Sequence, residues 1–300
     1  MRIALAPPLI TLAGVWLAGC WQADRLLGTV GESIDAGDPF GPPRLIQEIF
    51  DPSVEHEDPS MTRDELELYF REVRGADDSI MVSRRASPSD PWGTPTAIAE
   101  LSVDGYRDDG PEISGDGLTM WFASDRPGTV LNTDIWMATR TSRSAPWGVP
   151  VDIVELNSTE WESDPDVPSD QLSILYTSAR EAGINYIFAS ERASTSQTWD
   201  APRPAAWSEG LFPAWDPCLI DGGLTLFFAS KRDGAPATDL GDLFVATRPS
   251  VGTPFGPRMP ITELNDPDAT DQDPWVTADG SHVLFTSARG GLPEATWAAA

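Results

Sequence analysis

The chain has 300 residues, 47 of them Asp or Glu against 20 Lys or Arg, for a formal charge of −27, and Lys231 is its single lysine. That balance excludes nucleic acid as a partner, because phosphate binding needs clustered Lys and Arg, and it disfavours adsorption to anionic lipid. The length is enough to bury a substantial core, and about 250 residues is an ordinary size for one all-β domain.

The first element is a leader. "MRIALAPPLITLAGVWLAGC" carries one positive residue, an apolar run from Ile3 and a small-residue site ahead of Cys20. A charged start and a short apolar stretch mark a secretory signal. Leu17-Ala18-Gly19-Cys20 resembles a bacterial lipobox, in which the cysteine is acylated and becomes the mature N-terminus. The competing reading, a membrane helix, is short for a span and is broken by Pro7-Pro8. Residues 1–19 are thus expected to be a lipoprotein signal, and 20–38 a lipidated Cys20 with a polar tether. Two or more acyl chains give a firm anchor. Trp21, standing where an inner-membrane lipoprotein carries Asp, points to the outer membrane. With Cys20 lipidated, Cys218 has no disulfide partner and reads as a small core residue.

From residue 39 onward the chain repeats. "FGPPRLIQEIF" (40–50) has relatives in "WGTPTAIAELS" (92–102), "WGVPVDIVELN" (147–157), "WDAPRPAAWSE" (199–209) and "FGPRMPITELN" (255–265). A second piece runs from a proline to an arginine, as in "PEISGDGLTMWFASDR" (111–126). The prolines are Pro59, Pro111, Pro165, Pro217 and Pro274, spaced 52, 54, 52 and 57 residues apart. The closing arginines are Arg74, Arg126, Arg180, Arg232 and Arg289. A third piece is "SIMVSRR" (79–85), "DIWMATR" (134–140), "YIFASER" (186–192), "DLFVATR" (242–248) and a degenerate "EATWAAA" (294–300). Such a fixed step is the signature of a repeat architecture.

Each run alternates apolar and polar residues or is rich in β-branched and aromatic residues, between Gly, Pro and Asp punctuation, so all read as strands. Asp-Gly at 116–117 and 279–280 is a strong hairpin signal. Four antiparallel strands per unit, repeated radially, make an all-β five-bladed propeller. With strands A to D named from the channel outward, the chain starts on strand D of the last blade and ends on that blade's A, B and C. Residues 40–50 therefore close the ring, and the propeller spans 39–300.

In this topology the D–A and B–C loops share one face. The D–A loops 50–58, 102–110, 157–164, 209–216 and 265–273 hold 16 acids and one basic residue, Arg107. Asp58, Asp164, Asp216 and Asp273 precede the repeating prolines, with Gly110 in the second blade, and are expected around the channel mouth. Arginine forks suit carboxylates, so the five strand-B arginines are expected to knit neighbouring blades through these acids. Asp108, Glu162 and Asp271, two places earlier, are expected to stay unpaired and form an acidic binding face with Trp161 and Trp215. Such a funnel steers basic partners. It is also where a hard cation such as calcium would sit, although no Asp-x-Asp-x-Asp-Gly loop is present and no cofactor is expected. His56 and His282 have no zinc or catalytic partners in the pattern.

The motif P-x-x-S-x-D-G-x-x-L-x-F-x-S-x-R followed by D-I-W-x-A-T-R, carried by Pro111–Arg126 with Asp134–Arg140 and four looser copies, resembles the WD-repeat-like repeat of TolB-type propellers. The resemblance implies an envelope protein whose propeller binds other proteins. The expected role is a monomeric, lipid-anchored, non-catalytic platform in a bacterial envelope, on its periplasmic side or surface, for a protein or cell-wall-associated partner. The alternative is a carbohydrate-active enzyme or carbohydrate-binding propeller using carboxylates and aromatics near the same face, including Trp207.

Overall fold

The computed structural model describes residues 40–74, 77–129, 132–232 and 241–300; the segments expected to be leader and tether, with Cys20, lie outside them. Strand β1 (Arg44–Leu45) comes first. One blade is β2 (Glu55–Met61), β3 (Glu67–Arg74), β4 (Asp77–Arg84) and β5 (Thr96–Ala97); the next is β6 (Asp108–Ile113), β7 (Thr119–Ser124), β8 (Asp134–Thr139) and β9 (Val151–Asp152). The third is β10 (Glu162–Asp166), β11 (Ser173–Glu181), β12 (Ile184–Glu191) and β13 (Arg203–Pro204). The fourth is β14 (Ala214–Ile220), β15 (Thr225–Ser230), β16 (Asp242–Thr247) and β17 (Met259–Pro260). The last blade is β18 (Asp271–Val276), β19 (Val283–Ser287) and β20 (Ala295–Ala299), completed by β1.

That closure follows the displaced segment. Arg44 and Leu45 pair antiparallel with Ala298 and Trp297, and the Gly41 N–H donates to the Ala300 carbonyl at 2.9 Å. Phe40 packs edge-on against Phe227, in one core cluster with Leu243 and Phe285. Only two residues of 40–50 keep strand pairing, because the outer strand of every blade is two residues long.

Both faces of a blade are covered by its neighbours, so the second strands are apolar without strict alternation. Leu68 and Phe70 of β3 meet Leu284 of the last blade, while Tyr69 between them meets Met120 and Phe122 of the second. At the rim, the arginine ending the third strand stacks on the aromatic of the following Trp-Gly motif. Arg85 lies over Trp92 at 4.2 Å, Arg140 over Trp147 at 4.5 Å, Arg192 over Trp199 at 4.1 Å and Arg248 over Phe255 at 4.5 Å.

Candidate functional site

The innermost strands begin earlier than the prolines suggest. They start at Glu55, Asp108, Glu162, Ala214 and Asp271, so the acids expected in D–A loops belong to strand A itself. Each of these strands then breaks register at the residue before its proline, at Asp58, Gly110, Asp164, Asp216 and Asp273. All five take left-handed backbone, with φ between 49° and 55°. Asp tolerates that region and Gly is at home in it, which explains the residue choice. In the second blade only Gly fits, since a Cβ there would lie 2.9 Å from the Asp164 backbone nitrogen.

The bulges turn the Asp carboxylates around the channel. Asp58 accepts from the Gly110 N–H (3.2 Å), Asp273 from the Asp58 N–H (3.3 Å) and Asp216 from the Asp273 N–H (3.2 Å). A second layer repeats the device one step down. Ser60 accepts from the Ile113 N–H at 3.0 Å, Asp166 from Leu219 at 3.0 Å, and the Cys218 sulfur from Val276 at 3.3 Å. Glu112 accepts from the Ser60 hydroxyl at 2.7 Å. Blades are thus stitched at the axis by carboxylate-to-backbone bonds, and the expected arginine stitching to the Asp-Pro acids is replaced by them.

So many carboxyls in one dry channel cannot all ionise. Burial, reinforced by Asp273, pushes Asp58 and Asp216 well above the usual carboxylate range. Burial, with Asp109 and Asp273, raises Asp164 to about 6. Burial raises Asp166 to about 8, and burial with the neighbouring Asp166 lifts Glu112 well above the usual carboxylate range. Asp109 behaves oppositely: its burial is outweighed by Arg71 and Arg107, which hold it below its ordinary value. Oxygens of Asp58, Asp109 and Asp164 lie within 4.8 Å of one another, as do those of Glu55, Glu57 and Glu294. These are the described residues that could hold a hard cation.

The acids expected to be exposed are fully buried. Asp108, Glu162 and Asp271 have no solvent exposure. Each accepts from a serine of the neighbouring strand or from the arginine that ends it: Asp108 from Ser124 and Arg126, Glu162 from Ser178 and Arg180, Asp271 from Arg289. The same guanidinium nitrogens reach the Leu101, Leu156 and Leu264 carbonyls, pinning the incoming D–A connection. Arg126, Arg180 and Arg289 therefore work inside their own blade and on that connection. Arg232 chelates Asp242 instead, and Arg74 is largely exposed and pairs with Glu72. His56, expected in a loop, is buried in β2 with its Nε2 3.2 Å from Glu72.

What stays exposed on the D–A face is apolar, with an acidic rim. Trp161 is 44% and Leu211 47% exposed, and Val103 lies on a third D–A loop. Arg107 sits 5.4 Å over the Trp161 ring. Glu55, Asp104, Glu209 and Asp268 are exposed around them. Trp215 is not a free platform: its ring lies against Gly241, where a Cβ would approach it to 2.7 Å. Trp207 is a core residue between Phe212, Phe228 and Phe255. The channel pair Glu112 and Asp166 escapes the motif-based reading. The signal for it was the residue after each repeating proline, which varies as Ser60, Glu112, Asp166, Cys218 and Trp275.

Comparison with protein-family models gives no match, and comparison with curated protein sequences gives none. Solved structures do match. The fold is that of five-bladed propellers. TolB from Acinetobacter baumannii is similar with TM-score 0.53 and 15% identity over 82% of this chain, which spans only 55% of that protein's length. A thermostable family-43 glycoside hydrolase is similar with TM-score 0.55 and 14% identity over 82% of this chain and 88% of that one. The α-L-arabinofuranosidase from Lactobacillus brevis is similar with TM-score 0.55 and 14% identity over 85% and 93%. At these identities the likeness is one of fold, and fold alone does not carry function.

Proposed function

We propose that the chain is a lipid-anchored, non-catalytic binding platform of a bacterial cell envelope that engages a protein through its D–A face. The observation that carries this reading is the division of labour among side chains on that face. Asp108, Glu162 and Asp271 are consumed by the scaffold, while Trp161 and Leu211 are left exposed on loops that differ from blade to blade. Large exposed apolar groups on variable loops of a rigid frame mark a contact surface. The acids around them steer a basic partner and add salt dependence. Cys20 supplies the membrane anchor, and Cys20→Ala should abolish incorporation of labelled fatty acid.

The carbohydrate-active reading rests on the raised carboxyls of Glu112 and Asp166, since a glycosidase needs one protonated carboxyl beside a second carboxylate. Both already accept scaffold hydrogen bonds within the channel. The test compares chemical cross-linking in intact envelopes for the wild type and for Trp161→Ala with Leu211→Ala. The double variant should melt like wild type and lose its protein adduct. An unchanged adduct would contradict the platform, and polysaccharide hydrolysis by the purified chain would overturn its non-catalytic nature.

A further inference from the structure

One hollow lies away from the D–A face. It is a cleft of about 660 Å³ that runs between the third and fourth blades, where strands A turn into B and C into D, and into the end of the channel, where Met61, Ile113 and Trp275 of the other blades also line it. Its size falls within the ordinary range of small-molecule sites. Its origin can be read by comparing the blades with one another. Between the first two blades the corresponding space is filled: Arg140 reaches back to donate to Glu67 (2.6 Å) and to the Tyr69 hydroxyl (2.9 Å), and is almost fully buried.

In the third blade the positions of Glu67 and Tyr69 are taken by Ser173 and Leu175, and both line the cleft. Arg248 occupies the place of Arg140. It keeps the equivalent scaffold bond, Nε to the Gly223 carbonyl at 2.6 Å against Nε of Arg140 to the Gly117 carbonyl at 2.6 Å. It also keeps its stack on Phe255. What it lacks, among the described residues, is a carboxylate paired to its terminal nitrogens such as Glu67 gives Arg140. Burial holds its pKa below the ordinary arginine value, with Glu191 opposing only in part.

The walls around this guanidinium are mostly apolar: Leu175, Ala205, Leu219, Phe255 and, at the rim, the exposed Val251. The other charges facing the cleft do not replace the missing partner. Arg203 is paired with Glu191, Arg192 donates to the Gln171 carbonyl and stacks on Trp199, Arg63 lies along Gly115, Asp170 caps its own turn at Leu172, and Asp221 is exposed at the rim. At the floor, burial raises Asp166 to about 8 and, together with Asp166, lifts Glu112 well above the usual carboxylate range.

We propose that this cleft binds an amphiphilic monocarboxylate, its carboxylate taking the place before Arg248 that Glu67 takes before Arg140, and its apolar body covering Leu175, Ala205 and Leu219. The Arg248 guanidinium matches one negative charge, and its fork geometry favours bidentate pairing with a carboxylate. The site is independent of the platform proposed for the opposite face.

Isothermal titration with decanoate below its micelle concentration tests this, with decanol and galacturonate as comparison ligands. Decanoate should bind the wild type, with decanol and galacturonate each at least tenfold weaker. Arg248→Gln should weaken decanoate at least tenfold. Because Arg248 also supports the Gly223 turn, Ser173→Glu provides a second variant that leaves the arginine in place. It should supply the missing internal carboxylate, abolish decanoate binding and leave the melting temperature equal or higher. No decanoate binding to the wild type, equal binding of decanol or galacturonate, or undiminished binding to Ser173→Glu would each overturn the proposal.

Discussion

Replacing Asp166 by Asn should stabilise this protein, and by an amount that grows with pH. The Asp166 carboxyl lies in the second channel layer, accepts the Leu219 N–H and neighbours Glu112 of the adjacent blade. Burial pushes its pKa from 3.8 to about 8. In the unfolded chain the same group ionises near 4. Below that pH both states are protonated and the folded protein carries no penalty. As pH rises toward 8 the unfolded chain gains by releasing a proton that the folded one retains, so stability is lost across that window. About four pKa units at about 1.4 kcal/mol each set a ceiling of about 6 kcal/mol. An Asn side chain keeps the acceptor for Leu219 and has no proton to release. Urea denaturation followed by Trp fluorescence, at pH 4 and at pH 8.5 in EDTA, should show near-equal midpoints at the lower pH and a gain for Asn at the higher. A difference that does not change with pH, or a loss at pH 8.5, would refute the view of the channel as a set of forcibly protonated acids.

Three further outcomes follow from the geometry. Arg126→Met strands the fully buried Asp108 and should cost about 3–5 kcal/mol in chemical denaturation, whereas Arg74→Met, at an exposed site, should leave the midpoint unchanged. Gly110→Ala combines left-handed backbone with a 2.9 Å approach to Asp164 and should cost at least about 2 kcal/mol by the same assay. Deleting residues 40–50 removes the buried Phe40, Ile46 and Ile49 together with the β1 pairing. Three such side chains at about 1.5–3 kcal/mol each approach the whole stability of a domain, so calorimetry should find no cooperative transition.

Blade count, strand order and ring closure were legible in the sequence because they follow from a repeat and from one displaced copy of it. Phe40, far from its partners in the chain, belongs to the core at Phe227 and Phe285, and its Phe-Gly-Pro context said so. The site was less legible. Asp108, Glu162 and Asp271 looked like loop acids because the extra residue of a β-bulge shifts the strand start and hides the alternation. Once the bulge is placed, their burial follows from the serine and arginine opposite each. The emptiness beside Arg248 was equally hidden, since Ser173 and Leu175 differ from Glu67 and Tyr69 only in what they fail to fill.

The central claim, that a protein partner meets the D–A face, is tested most directly by position-specific photo-cross-linking in living cells. A photoreactive phenylalanine analogue would be placed at Trp161, at Leu211 and, as a comparison on the C–D connection of the second blade, at Val149, which is 88% exposed. Positions 161 and 211 should give the same discrete protein adduct, lost at high salt, while position 149 gives none. An adduct from 149 with none from 161 or 211 would contradict the platform and move the contact to the opposite side of the propeller.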